Sequence, residues 1–175
     1  MKEKDRKELE KEKARANVEK FLGFLETNIH KLQSVSEISD MDLDKVGFDQ
    51  YHKFRNVSGE CLSFMVIIER HLSNCDESRV DKLQDRLDSL TVAVWSVMLT
   101  GSLGFLEAIA SKDRLPIGTR DIFIHELKTM SDAEKTLNDG QYEGHLSESV
   151  KNKRETATRI LNDVIDRAPG LLNLT

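Results

Sequence analysis

The sequence predicts an all-α fold: a bundle of about five mostly antiparallel helices around one central hydrophobic helix at about residues 77–111. Three observations carry this expectation. Residues 89–106 run 18 positions without a formal charge, in a chain that is 33% charged. Apolar residues elsewhere recur in steps of three and four, the period of a helix face, and not in the twos of a strand. Only two prolines and nine glycines stand among 175 residues, which is little turn chemistry for a sheet-rich fold.

The central segment has an unusually regular seam. Val80, Leu83, Leu87, Leu90, Val94, Val97, Gly101, Gly104 and Ala108 keep strict helical spacing. Its end narrows to small residues, which lets a neighbouring backbone approach closely. From residue 89 the other faces are apolar too, through Val92, Trp95, Met98, Leu99, Leu103 and Phe105. A helix apolar all round is buried by protein or by lipid. Seven of the 18 uncharged residues are Ser, Thr or Gly, and Glu107 follows directly. The amphipathic segments around it need an apolar partner. A core helix with Trp95 buried is therefore expected, and a membrane span is not.

The remaining elements follow in order. Residues 1–17 read as a charged helical extension, with pairs such as Glu3–Lys7 and Arg6–Glu10 suited to solvent. Residues 18–175 read as a single bundle domain. Val18, Phe21, Leu22, Leu25, Ile29 and Leu32 share one face of the first helix. Residues 33–40 read as a loop, with Ser39 or Asp40 as the next cap and Gly47 as a break. Residues 48–72 carry Tyr51, Phe54, Val57, Cys61, Phe64, Met65, Ile68 and Leu72 at helical spacing, with Gly59 as a close-packing point. Residues 73–76 turn into the central helix. Pro116 and Gly118 mark a stop after it, and Thr119 can cap the next helix, with a fresh start possible at Ser131 and Glu134. Asn138-Asp139-Gly140 ends that helix. The last is expected over about residues 142–167, stopped by Pro169-Gly170, with Leu171, Leu172 and Leu174 folding back.

Composition narrows function more than it specifies it. The formal net charge of −5 argues against nucleic-acid binding through one broad basic surface. Two cysteines, Cys61 and Cys75, and no apolar leader suggest a reducing cytoplasm and free thiols. His71 and Cys75 stand four apart, but zinc needs four ligands and no set is in evidence. No phosphate-binding glycine loop, dinucleotide fingerprint or nucleophile elbow is present. No cofactor and no metal is expected.

One short pattern carries chemistry: Arg120-Asp121-Ile122-Phe123-Ile124-His125. Arginine offers a fixed fork of donors to phosphate, histidine titrates near neutrality, and a helix start adds amide donors for an anion. Asp121 could orient either partner, with Ile122, Phe123 and Ile124 anchoring the turn. An arginine, a polar Asn, Asp or His, three further residues and a histidine resembles the signature of the HEPN superfamily, all-α domains many of which are RNases. That resemblance implies catalytic roles for Arg120, Asp121 and His125, metal-independent attack by an RNA 2′-hydroxyl, and a site shared across a homodimer. The more general expectation is a cytoplasmic interaction or assembly module acting on a protein partner or on itself. RNA is a partner only under the resemblance.

Overall fold

The computed structural model describes residues 3–36, 49–75, 77–110 and 119–172. Helix α1 spans Glu3–Ser36, α2 Asp49–Leu72, α3 Glu77–Ala110, α4 Thr119–Leu137 and α5 Glu148–Leu172. A short 3-10 helix, Gly140–His145, stands between α4 and α5. Among the described residues there is no strand. The chain is an all-α bundle organised as expected.

Each helix forms where its apolar residues can share a face. On α1, Val18, Leu22, Leu25, Ile29 and Leu32 are all buried, while residues 6–13 are all exposed and burial begins at Ala14. The solvent side of α1 is laced by i, i+4 pairs, Arg6–Glu10 and Arg15–Glu19, each at 3.1 Å. On α2, Tyr51, Phe54, Val57, Cys61, Met65, Ile68 and Leu72 face inward as read from the sequence, and Ser58 joins them. Phe64 is only partly buried. Helix α1 continues to Ser36, past the start expected for the loop. The caps at Ser39 or Asp40, the break at Gly47 and the stop at 112–118 lie outside the described residues.

Helix α3 contacts every other element. Its predicted seam faces α1 and α2: Leu83, Leu87 and Val94 are buried in that core, with Val80, Leu90 and Val97 against it. The opposite face, with Val92 and Leu99, closes a second core against Met130, Ala133 and Leu137 of α4 and Ala157 of α5. Trp95 is not fully buried as expected; it packs against both cores at their border. Neighbours cover the two opposite faces of α3 and leave its flanks partly open. By length and composition Val80–Ala108 could cross a membrane, with 44% of its most apolar window buried.

The glycines divide sharply. A Cβ on Gly101 would stand 2.5 Å from Phe54 Cζ, so α2 approaches α3 through a ring that needs a bare backbone there. Gly59 faces open space, contrary to the close-packing expectation, because it sits on the exposed side of α2.

Helix α4 runs through Ser131 without a fresh start. Residues 142–145, expected at the start of the last α-helix, belong instead to the 3-10 turn Gly140–His145, where Asp139 accepts from the Gln141 amide at 3.1 Å. Two glycines within six residues disfavour the α-helix there, and Ser147 caps α5 by accepting from the Val150 amide. Helix α5 extends past Pro169-Gly170 to Leu172; a proline removes one helical hydrogen bond without necessarily ending the helix. The fold-back of the terminal leucines lies outside the side chains described.

Candidate functional site

Arg120, Asp121 and His125 occupy the first two turns of α4, and all three are exposed. Five residues on a helix separate Arg120 from His125 by about 140° around the axis and about 7.5 Å along it. The helix alone therefore does not aim both at one point. Ile122 anchors the turn on Tyr51 and Phe105. Ile124 does not, being 55% exposed.

The guanidinium that His125 feels is that of Arg55, on α2. Arg55 Nη1 donates to Thr129 Oγ1 at 3.1 Å, and Thr129 Oγ1 donates to the His125 carbonyl one turn back. Residues 125 and 129 share a helical stripe, so Arg55 crosses to the stripe that holds His125. Partial desolvation and then the Arg55 charge lower the His125 pKa below its ordinary value, against the opposing pull of Glu126.

Beneath this pair lies a fully buried carboxylate. Glu126 Oε1 accepts from the Tyr51 hydroxyl at 2.7 Å, and Oε2 accepts from the Ser102 hydroxyl at 2.5 Å. Arg55 Nη1 stands 3.6 Å from Oε1. Among the described residues no buried side-chain polar atom lacks a hydrogen-bond partner, as polar groups in an interior require. Burial first, then Glu126, raises the Tyr51 pKa far above its ordinary value. The sequence reading missed this cluster. Its signal was a glutamate in an apolar stripe, Ile122, Glu126, Met130, Ala133 and Leu137.

A different feature marks the outer side of α1 and α2. Phe21 stacks on His71 with ring centres 5.6 Å apart, and Phe24 meets Phe64 at 6.0 Å. Phe24 remains 44% exposed and Ile67, one turn from Phe64, 37%. The His71 ring is thus engaged with an aromatic face, and Cys75 Sγ donates to the His71 carbonyl. Both cysteines are free thiols. Among the described residues no three His, Cys, Asp or Glu side chains are grouped to hold a metal ion.

Two clefts border α5. One, about 640 Å³, is lined by Leu103, Leu106, Phe123 and Ile160 with Glu107, Lys153 and Thr156. Lys153 there is engaged by Thr100 at 2.9 Å. The other, about 560 Å³, interleaves Arg154 and Arg159 with Glu134, Glu155 and Asp163, so neither sign of charge prevails.

No family model, curated protein or solved structure matches this chain.

Proposed function

We propose that this chain is an all-α interaction module that docks a protein partner on the outer face of α1 and α2. The observation that carries this reading is the aromatic cluster there, with Phe24 and Ile67 left open to solvent beside Phe21 and Phe64. Apolar side chains gathered at one place gain free energy when a partner covers them, whereas singly scattered ones need no explanation. The polar cluster at Glu126 fits the same reading, because it locks α2, α3 and α4 into a rigid support. A photo-crosslinking residue at position 24 should capture a partner in cells of the source organism, and one at position 159 should not. Equal labelling at both positions would remove the face from consideration.

One observation favours a second reading, metal-independent cleavage of RNA at His125: Arg55 brings a guanidinium to the stripe of α4 that holds this histidine. A histidine kept neutral near pH 7 can accept the proton of a ribose 2′-hydroxyl while an arginine holds the phosphate. The hydroxyl oxygen then bonds to phosphorus as the bond to the 5′-oxygen breaks, and that oxygen takes a proton from solvent to leave as a hydroxyl, giving a 2′,3′-cyclic phosphate. Arg120 and Asp121, implied by the resemblance to HEPN domains, would extend the site along the first turn. Purified protein should then cut single-stranded RNA in EDTA, and His125→Ala should abolish cutting with the fold intact. No cleavage over a broad RNA panel leaves the docking reading alone.

A further inference from the structure

The outer face of α1 and α2 has a charge pattern as well as an apolar centre. On α1, Lys13, Asn17, Lys20, Phe24, Asn28 and Lys31 follow in steps of three and four, so they share one side of the helix, and none is acidic. On α2, Glu60, Phe64, Ile67 and His71 do the same. The two stripes run antiparallel and side by side, joined by Lys31 and Glu60 at 3.5 Å and by the contact of Phe24 with Phe64. Glu60 is the one carboxylate among these residues and Lys31 offsets it, while the next position of the α1 stripe, Glu10, is paired with Arg6. Lys20 Nζ lies 5.6 Å from the centre of the Phe24 ring. A chain of net charge −5 thus carries here an apolar face edged by cations along α1.

We propose that this face takes an acidic amphipathic helix of a partner protein. The apolar stripe of that helix covers Phe24, Phe64 and Ile67, and its carboxylates meet Lys13, Lys20 and, in competition with Glu60, Lys31. This rests on the docking reading above and adds the shape and charge of the partner. The stretch from Lys31 to Lys20 spans about 16 Å, or three helical turns, which suits anchors at i, i+3 or i+4, and i+7. A bilayer fits less well. Phe24 and Ile67 keep more than half their surface covered by the helices that flank them, whereas a membrane-surface helix presents a protruding apolar face. Opposite charge across such an interface selects the partner and speeds encounter.

The test uses the full chain and two synthetic amphipathic helical peptides with the same leucine stripe, one flanked by glutamates and one by lysines. Fluorescence anisotropy should show the acidic peptide binding about tenfold tighter or better at low salt, with the gap closing as salt screens the charges. Phe24→Ser should remove binding, and Glu60→Gln should strengthen it. The double variant Lys20→Glu/Lys31→Glu, on exposed residues that leave the core alone, should reverse the preference. Equal binding of both peptides, or a preference that survives charge reversal, overturns the proposal. So does insertion of Phe24 into phosphatidylserine vesicles with no peptide bound, or self-association lost in Phe24→Ser, which would assign the face to lipid or to a second copy. If position 24 captures a partner while the peptides bind alike, the docking reading stands and the acidic helix falls; if neither happens, both fall.

Discussion

The Tyr51 hydroxyl donates to the Glu126 carboxylate at 2.7 Å, joining α2 to α4 across 75 positions of chain. Ser102 adds the third helix through the other carboxylate oxygen. Three helices thus share one buried carboxyl group, with Tyr51 and Ser102 each supplying a donor to one of its oxygens.

Tyr51→Phe should therefore destabilise the protein by about 1–3 kcal/mol, the cost of leaving a buried acceptor short of a donor. Urea denaturation measures it. Ser63→Ala, which removes an exposed bond to the Gly59 carbonyl on the same helix, should change stability by less than about 0.5 kcal/mol. In a double-mutant cycle Tyr51→Phe and Ser102→Ala should be coupled, since both act on Glu126.

Gly101→Ala and Gly59→Ala should have opposite signs. At 101 the new methyl meets the buried Phe54 ring, and overpacking of this kind costs about 1–3 kcal/mol. At 59 nothing stands within 4 Å, so helix propensity alone acts and stability should rise by up to about 1 kcal/mol. Thermal melts of the two variants decide the matter.

His125 should titrate below its ordinary value of 6.5 in NMR, and Arg55→Gln should move its midpoint upward, because the variant removes a repelling cation and leaves Glu126 nearby. The sign for stability follows from the same shift. As pH falls through 6.5 the unfolded chain takes up the proton before the folded one does, so folding weakens on the acid side. A midpoint unchanged by Arg55→Gln would separate the two groups.

On the alkaline side the buried thiol acts in the opposite sense. Burial raises the Cys61 pKa from 9.0 to about 11. Its contribution is fully present below pH 9 and is lost as pH rises toward 11, where the unfolded thiol ionises and the folded one resists. Tyr51, also raised, adds to the loss above its ordinary value of 10.0. Denaturation midpoints should therefore drop above pH 9, less steeply in Cys61→Ala. A thiol reagent at pH 8 should modify the half-buried Cys75 first and reach Cys61 only on unfolding.

The sequence by itself determined the helical architecture, because period and charge are local properties. The seam from Val80 to Val97 faces α1 and α2 as its spacing demanded, and the uncharged run became the helix that touches all others. The failures lie where local signals compete: Gly140 and Gly144 held residues 140–145 in a 3-10 turn, and Pro169 did not stop α5. Only the tertiary structure decided which side chains meet. Arg120 and His125 are close in sequence, yet the arginine set beside the histidine is Arg55, 70 positions away, and the carboxylate that binds three helices looked like one more helical glutamate. Nor could spacing show that Phe24 and Ile67 would remain open while their neighbours packed. A stripe tells which residues share a side of one helix, but the angle at which helices cross decides how much of that side is covered.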